Sequence, residues 1–205
     1  MENLIRNYFL FFENVILPKI KNISWVTQKD YWYHWLLTHT EWVVFRGIYL
    51  SLSMSKDPIP VIFACAAHDL ARTTDWDCEK HWPNAVPIVE KLMNMFDGLL
   101  SNDEKLKVKY AVKNHTKWTI APDYISACLW DADRIRLSWE MWYEEKFFNT
   151  SIWKKIASWR AKEFLEFENK CLLRNKSVDN EKVLKSGFSI RRTPIIIYNK
   201  IIHKN

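Results

Sequence analysis

Glycine is scarce in this chain, at 3 of 205 residues. Sandwiches and barrels of short strands need glycine at many of their turns, yet the stretch 29–55 holds one glycine and no proline. Hydrophobic residues nevertheless make up 48% of the chain, and a chain of this length can bury one substantial core. The composition therefore argues against an all-β fold and predicts a single all-α domain.

Cysteine is also infrequent, and its 4 copies form no Cys-x-x-Cys pair. Such spacing argues against a structural zinc knuckle and is typical of proteins in a reducing compartment. The first residues carry no basic flank, and Glu13 interrupts the apolar run that follows them. We therefore expect neither a signal peptide nor a membrane span, and we predict a cytoplasmic protein.

The net charge of +6 is concentrated at the C-terminal end. Basic residues exceed acidic ones by six after Leu172, so the rest of the chain is neutral. Solvated terminal charge explains this excess without a partner, and we assign it no function. The predicted organisation is one helical domain over 1–175, with its core at about 30–145, followed by a basic tail over 176–205.

Capping signals and prolines divide the domain into helices. A first long helix is predicted from about Gln28 into the low fifties, behind an N-cap at Thr27. Pro58 and Pro60 then open a buried segment that ends at Ala67. The other predicted helices run from Pro83 to about Phe96, from the capping box Ser101–Glu104 to His115, from Pro122 to the acidic pair 131 and 133, and over 138–173 as one or two amphipathic helices.

An ordered set of metal-binding side chains runs through these helices. It consists of His39, the adjacent pair His68-Asp69, His81, His115 and Asp133. Histidine with aspartate suits a divalent ion that activates water. Two successive residues of a helix point about 100° apart, so the adjacent pair can face one ion only near a helix end or side-on.

The order of these residues and their local words resemble the HD superfamily of metal-dependent phosphohydrolases. The words are Ala67-His68-Asp69 and Asp131-Ala132-Asp133-Arg134, and the resemblance covers about residues 30–145. It implies an HD-domain-like helical bundle with a metal site between its core helices. In the family, the positions that match His39, His68, Asp69 and Asp133 bind one metal.

The resemblance implies further roles around that ion. His81 and His115 fall where some relatives bind a second metal or donate a proton, and we favour His115 as the general acid if one ion binds. Asp131 is expected to orient a histidine, although spacing alone leaves it open as the ligand in place of Asp133. His34 is the alternative first ligand to His39.

Substrate contacts can be proposed on chemical grounds. Arg72 and Arg134 are placed to stabilise charge on a phosphoryl group, and Lys80, Lys113 and Lys117 are weaker candidates. Most of the 12 tryptophans are expected to pack in the core, but Trp76 and Trp82 are predicted to stack on the substrate. Arg136 stands where the family often has an acid, so the role of that acid does not carry over.

Three functions are consistent with this sequence. The first is a phosphomonoesterase or phosphodiesterase that acts on a nucleotide or a similar small phosphorylated compound. The second is a di-iron oxygenase on the same fold, and the third is a non-catalytic module that binds a nucleotide. The expected cofactor is one or two divalent ions of Mn, Mg, Fe, Ni or Zn. Histidine and aspartate ligands are compatible with all of these metals. The sequence also leaves the oligomeric state open.

Overall fold

A computed structural model describes part of the chain, namely residues 1–23, 36–72, 81–117, 119–134, 146, 148–156, 164 and 167–168. The regular structure of these residues is helical throughout, with no strand among them. The predicted all-α class is therefore confirmed. No helix in these ranges is both long enough and apolar enough to cross a membrane.

In chain order, the described helices are α1 (Glu2–Phe11), a π-helical turn (Phe12–Ile16), α2 (Leu17–Ile23), α3 (Leu36–Ser53), α4 (Pro58–Ala67), α5 (His81–Asn94), α6 (Asn102–Asn114), α7 (Tyr124–Arg134) and α8 (Ser151–Lys155). The predicted N-cap at Thr27 and the start at Gln28 lie outside the described residues, as do most of 138–173 and the whole tail.

The α4 helix is short because its ends are specified by sequence. Asp57 caps it by accepting a hydrogen bond from the backbone N–H of Ile59 at 2.9 Å, and Pro58 occupies the first position, where no N–H is needed. All ten residues of α4 are buried, as the apolar run predicts. The helix ends at Ala67, so His68 is its C-cap.

The starts of α5 and α6 follow from local sequence signals. The α5 helix begins at His81, two residues before the predicted start at Pro83. A proline in the first turn removes an N–H that has no partner within the helix, so the helix can begin earlier than the proline. The predicted capping box of α6 is confirmed, since Ser101 Oγ accepts from Glu104 N and Glu104 Oε2 accepts from Ser101 N.

The core lies where α3, α4 and α7 pack on one another, while α6 contacts α4, α5 and α7. Gly47 marks a close approach of α3 to α4. A Cβ atom there would lie 2.7 Å from Cys65 Sγ and 2.9 Å from Val61 Cγ1, both shorter than a van der Waals contact. The absence of a side chain at Gly47 therefore sets the distance between the two helices.

Phe164 and Glu168 contact α3. Arg46 donates two hydrogen bonds to the Glu168 carboxylate, at 2.8 and 3.1 Å, and both side chains are buried. Phe164 lies edge-on to Tyr49 and to Trp153 of α8. A two-pronged ion pair and an aromatic cluster thus join these two residues to the helix that carries His39.

Candidate metal centre

The six metal-binding side chains predicted from the sequence come together in one place. Except for Asp133, which is 24% exposed, all are buried. They lie in or just beyond the first or last turn of a helix: His39 in α3, His68 and Asp69 after α4, His81 at the start of α5, His115 after α6 and Asp133 at the end of α7.

A first group of ligand atoms lies between α3, α4 and α7. His39 Nε2 is 3.1 Å from His68 Nε2 and 3.6 Å from Asp69 Oδ2. Asp133 Oδ1 is 3.2 Å from His39 Nε2 and 3.6 Å from His68 Nε2. These four residues are the set that the HD resemblance assigns to one ion. Three of them (His39, His68 and Asp69) could hold an ion by mutual distance alone.

A second group lies beside the first and shares Asp69 with it. His81 Nε2 is 3.2 Å from His115 Nε2 and 3.2 Å from Asp69 Oδ1. His115 Nε2 is 3.5 Å from the same oxygen. This group also satisfies the distances that an ion requires. His81 and His115 therefore form, together with Asp69, a second group of ligand atoms next to the first.

Asp69 connects the two groups because its two oxygens face different histidines. Oδ2 lies 3.6 Å from His39 Nε2 and 3.5 Å from His68 Nε2, while Oδ1 faces His81 and His115. A carboxylate can bind one ion through each of its oxygens. The arrangement is what a bridging ligand between two cations requires.

The ring orientations of two histidines are fixed by backbone carbonyl groups. His68 Nδ1 donates to Cys65 O, and His115 Nδ1 donates to Val112 O, each at 2.8 Å. A carbonyl oxygen can only accept, so Nδ1 carries the proton in both rings. The Nε2 atom of each ring is left to bind a proton or a metal, and a hydrogen bond of this kind is the usual support of a metal-binding histidine.

The electrostatics of the cluster favour a positive charge at its centre. Burial lowers the pKa of His68, but the charges of Asp69 and Asp133 outweigh burial and raise that pKa from 6.5 to about 9. Burial would raise the pKa of both carboxyl groups, yet their contacts with the histidines hold them well below the usual range. Both acids are therefore anionic near neutral pH, as metal ligands must be.

The donor set fits a divalent cation in two further respects. Imidazole nitrogens and carboxylate oxygens suit Mn, Fe, Ni and Zn, and carboxylates also suit Mg. Asp69 Oδ1 is a buried oxygen with no well-aligned hydrogen bond in the described part of the chain, although two histidine nitrogens lie within 3.5 Å of it. A buried oxygen without a good partner is costly. A cation in contact with Oδ1 would remove that cost.

Arg72 is the predicted phosphate ligand that the structure places closest to the cluster. Its Nε lies 3.6 Å from Asp69 Oδ2, and its side chain is 18% exposed. The guanidinium group therefore stands between the buried carboxylate and solvent. This is a position from which it could contact an anion bound at the cluster.

The structure gives Asp131 hydrogen bonds away from the histidines. Its Oδ1 accepts from Asn149 N and Nδ2, and its Oδ2 accepts from Thr150 N, all at 3.0 Å or less. Thr150 in turn caps α8 by accepting from Trp153 N. Asp131 thus ties α7 to the start of α8, and its predicted role in orienting a histidine stays a prediction.

Arg134, the other predicted phosphate ligand, is buried and contacts the protein backbone. Its Nη2 donates to His115 O at 3.3 Å and to Lys117 O. The guanidinium carbon also lies 5.6 Å from the centre of the Trp130 ring. These contacts hold the residues that follow α6.

Of the other side chains predicted to contact the substrate, Trp82, Lys113 and Lys117 lie within the described residues. Trp82 is half-buried, and its ring meets that of His81 edge-on, with centroids 5.0 Å apart. Lys113 and Lys117 are exposed. The other predicted or alternative residues, His34, Trp76, Lys80 and Arg136, lie outside the described residues.

Sequence reasoning did not identify the carbonyl groups of Cys65 and Val112, because every residue has a backbone carbonyl and residue type does not mark the ones that contact a histidine. The signal that could have found them is positional. Each lies three residues before a histidine at a helix C-cap, where the last carbonyls have no partner within the helix.

Comparison with protein-family models, with curated proteins and with solved structures finds no match to this chain.

Proposed function

We propose that this protein is a metal-dependent phosphohydrolase of the HD type, acting on a nucleotide or a similar small phosphorylated compound. The observation that carries the proposal is the placement of Asp69, whose two oxygens each face a pair of buried histidines. Ligands separated by up to 94 residues, from His39 to Asp133, converge in the order that the HD resemblance requires.

In this proposal, His39, His68, Asp69 and Asp133 hold one ion, and Asp69, His81 and His115 hold another. Ions bound there would supply a water of lowered pKa and neutralise charge on the phosphoryl group. The buried carboxylates and the hydrogen bonds at Nδ1 fix the ligands before substrate arrives, which is the preorganisation that charge stabilisation needs.

The remaining steps fall to side chains near the mouth of the cluster. Arg72, beside Asp69, would contact an equatorial oxygen of the phosphoryl group and orient it for in-line attack. Because His115 Nδ1 donates to Val112 O, its Nε2 is the atom that would bind the second ion, or that would carry the proton of the general acid if one ion binds. Trp82, beside His81, offers an aromatic surface to a base.

The test is to incubate the purified protein and Mn²⁺ with a panel of mono-, di-, tri- and cyclic nucleotides and sugar phosphates, and to detect products by mass spectrometry. We expect a product that disappears with chelator and in Asp69→Ala, which should also lose bound metal. Asp97→Ala is the matched control, because Asp97 is an acid on the surface, with 92% of its side chain exposed. Unchanged turnover in Asp69→Ala would contradict the proposal.

The shared carboxylate also favours a second candidate function, oxidation at a di-iron centre, because two ions held by one bridging acid can exchange electrons with a common substrate. Iron content and a visible charge-transfer band on adding oxygen would support this function. Colourless, iron-free protein with phosphohydrolase activity would eliminate it. Thermal stabilisation by a nucleotide without any product would instead favour a binding module.

A further inference from the structure

The turn that carries His115 receives hydrogen bonds from two side chains of α7. The last carbonyls of a helix have no backbone donor within it, and side chains can take that role. Trp130 Nε1 donates to Ala111 O at 3.0 Å. Arg134, one helical turn further along α7, donates to His115 O and Lys117 O. The two donors of α7 therefore bracket the residue whose imidazole faces Asp69.

Arg134 is suited to this position by shape and charge. Its guanidinium presents several N–H groups in a plane and can donate to more than one carbonyl oxygen at a time. A positive charge is also favourable beside the C-terminus of a helix, where the peptide dipoles leave partial negative charge. The guanidinium carbon lies 5.6 Å from the centre of the Trp130 ring and the residue is 5% exposed, so the group cannot swing into solvent without leaving its carbonyl partners.

The neighbouring residue on α7 belongs to the other ligand group. Asp133 Oδ1 lies within 3.6 Å of His39 and His68, whereas Arg134 reaches His115. Successive residues of a helix diverge by about 100°, so one turn of α7 serves both groups at once. Replacement of the Arg134 side chain would therefore remove a contact of His115 and leave the contacts of Asp133 with His39 and His68 in place.

We propose that Arg134 is a positioning residue that fixes His115 and so determines whether the second ion binds. This inference rests on the proposed function, because it takes the group Asp69, His81 and His115 to be a cation site. It assigns Arg134 to the protein backbone in place of the phosphate contact that its sequence position suggests.

The experiment is to titrate the metal-free, full-length protein with Mn²⁺ by calorimetry and to count bound ions. Arg134→Met removes the donors but keeps an unbranched stem beside Trp130, and Arg6→Met removes an exposed arginine of α1 as the matched control. We expect Arg134→Met to retain the affinity for the first ion and to lose about 10- to 100-fold for the second, the usual effect of removing a group that supports a ligand. His115→Gln gives the reference for complete loss of that position.

Several outcomes would overturn the proposal. Equal weakening of both ions in Arg134→Met would indicate general destabilisation. Unchanged affinity for both ions, with weaker inhibition by inorganic phosphate, would make Arg134 a phosphate ligand. If Arg134→Met does not fold, Arg134→Lys replaces it: its ammonium lacks the planar fork, so the second ion should still bind more weakly, and unchanged binding would overturn the proposal.

A metal-free measurement separates this inference from the proposed function. If the wild-type protein binds fewer than two ions, the dinuclear site fails whatever Arg134 does. Nitrogen NMR of the imidazole rings in the metal-free protein then tests Arg134 directly. We expect His115 of the wild type to show one tautomer with the proton on Nδ1, which donates to Val112 O. In Arg134→Met the turn loses the donor at His115 O, so Nδ1 should align less well with Val112 O and the preference for that tautomer should weaken. An unchanged His115 signal would show that Arg134 does not position the ring.

Discussion

His39 and His68 meet with their Nε2 atoms 3.1 Å apart, although 29 residues separate them in the chain. Two buried imidazoles at this distance need a proton or a metal ion between them, because two nitrogen lone pairs repel each other. The Nδ1 atom of His68 is occupied by a carbonyl, and the acids beside the pair are ionised. The Nε2 atom of His68 is therefore the place where a proton and a metal ion compete.

This competition predicts how the stability of the metal-free protein depends on pH. The pKa of His68 is raised from 6.5 to about 9, so its contribution is fully present below pH 6.5 and is lost as the pH rises through about 9. The pKa values of Asp69 and Asp133 are lowered, so their contribution is lost as the pH falls below about 4. Stability should be greatest between these limits.

Urea unfolding in the presence of a chelator measures the effect. We expect the free energy of unfolding to fall by about 3 kcal/mol between pH 6.5 and about 9, at 1.36 kcal/mol for each unit of pKa. His68→Gln removes the titrating ring, and its profile over the same interval should be nearly flat. Added Mn²⁺ should stabilise the wild type increasingly as the pH rises. A wild-type profile that rises toward pH 9 would contradict this account.

The sequence could predict this cluster because the ligands are side chains in a recognisable order, and local signals specify the helices around them. The capping box at Ser101 and the proline-led start of α4 were both confirmed. Boundaries were less certain where a proline was compatible with more than one position, as at Pro83 of α5.

Arg134 shows what the sequence could not provide. Its position next to Asp133 in the sequence suggested a phosphate contact, because the substrate is expected to bind near the metal ligands. The direction of the side chain depends instead on where α6 ends relative to α7, and that is a tertiary relationship. The same is true of Asp131, whose oxygens accept hydrogen bonds from residues 18 and 19 positions further along the chain.

Gly47 offers a test of the packing that brings His39 to His68. Gly47→Ala would place a Cβ atom 2.7 Å from Cys65 Sγ, and overpacking of this kind costs about 1–3 kcal/mol. The better helix propensity of alanine returns about 1 kcal/mol, so we expect a net loss of stability in thermal unfolding. Separation of α3 from α4 should also weaken binding of the first ion more than binding of the second.

A second substitution at the same contact provides the control. Cys65→Ala removes the sulfur atom that the new Cβ would meet, so Gly47→Ala/Cys65→Ala should recover part of both losses. Val61 Cγ1, at 2.9 Å, would still oppose the methyl group, and full recovery is not expected. If the single variant is as stable as the wild type and binds metal equally well, the close contact at Gly47 does not set the distance between the helices.

The buried ion pair of Arg46 and Glu168 separates the stability of the fold from the chemistry of the site. Arg46→Met leaves the Glu168 carboxylate buried without its cation, which should cost about 3–5 kcal/mol in urea unfolding. Arg46→Met/Glu168→Met should recover much of that loss, because two apolar side chains of similar length leave no buried charge. Lys107→Met breaks a surface pair with Asp103 and should leave the free energy of unfolding nearly unchanged, because solvent screens an exposed pair. The number of bound ions should stay the same in all three variants, because none of these side chains is a proposed ligand. A lost ion in Arg46→Met would show that the contact of Arg46 with Glu168 helps to position His39.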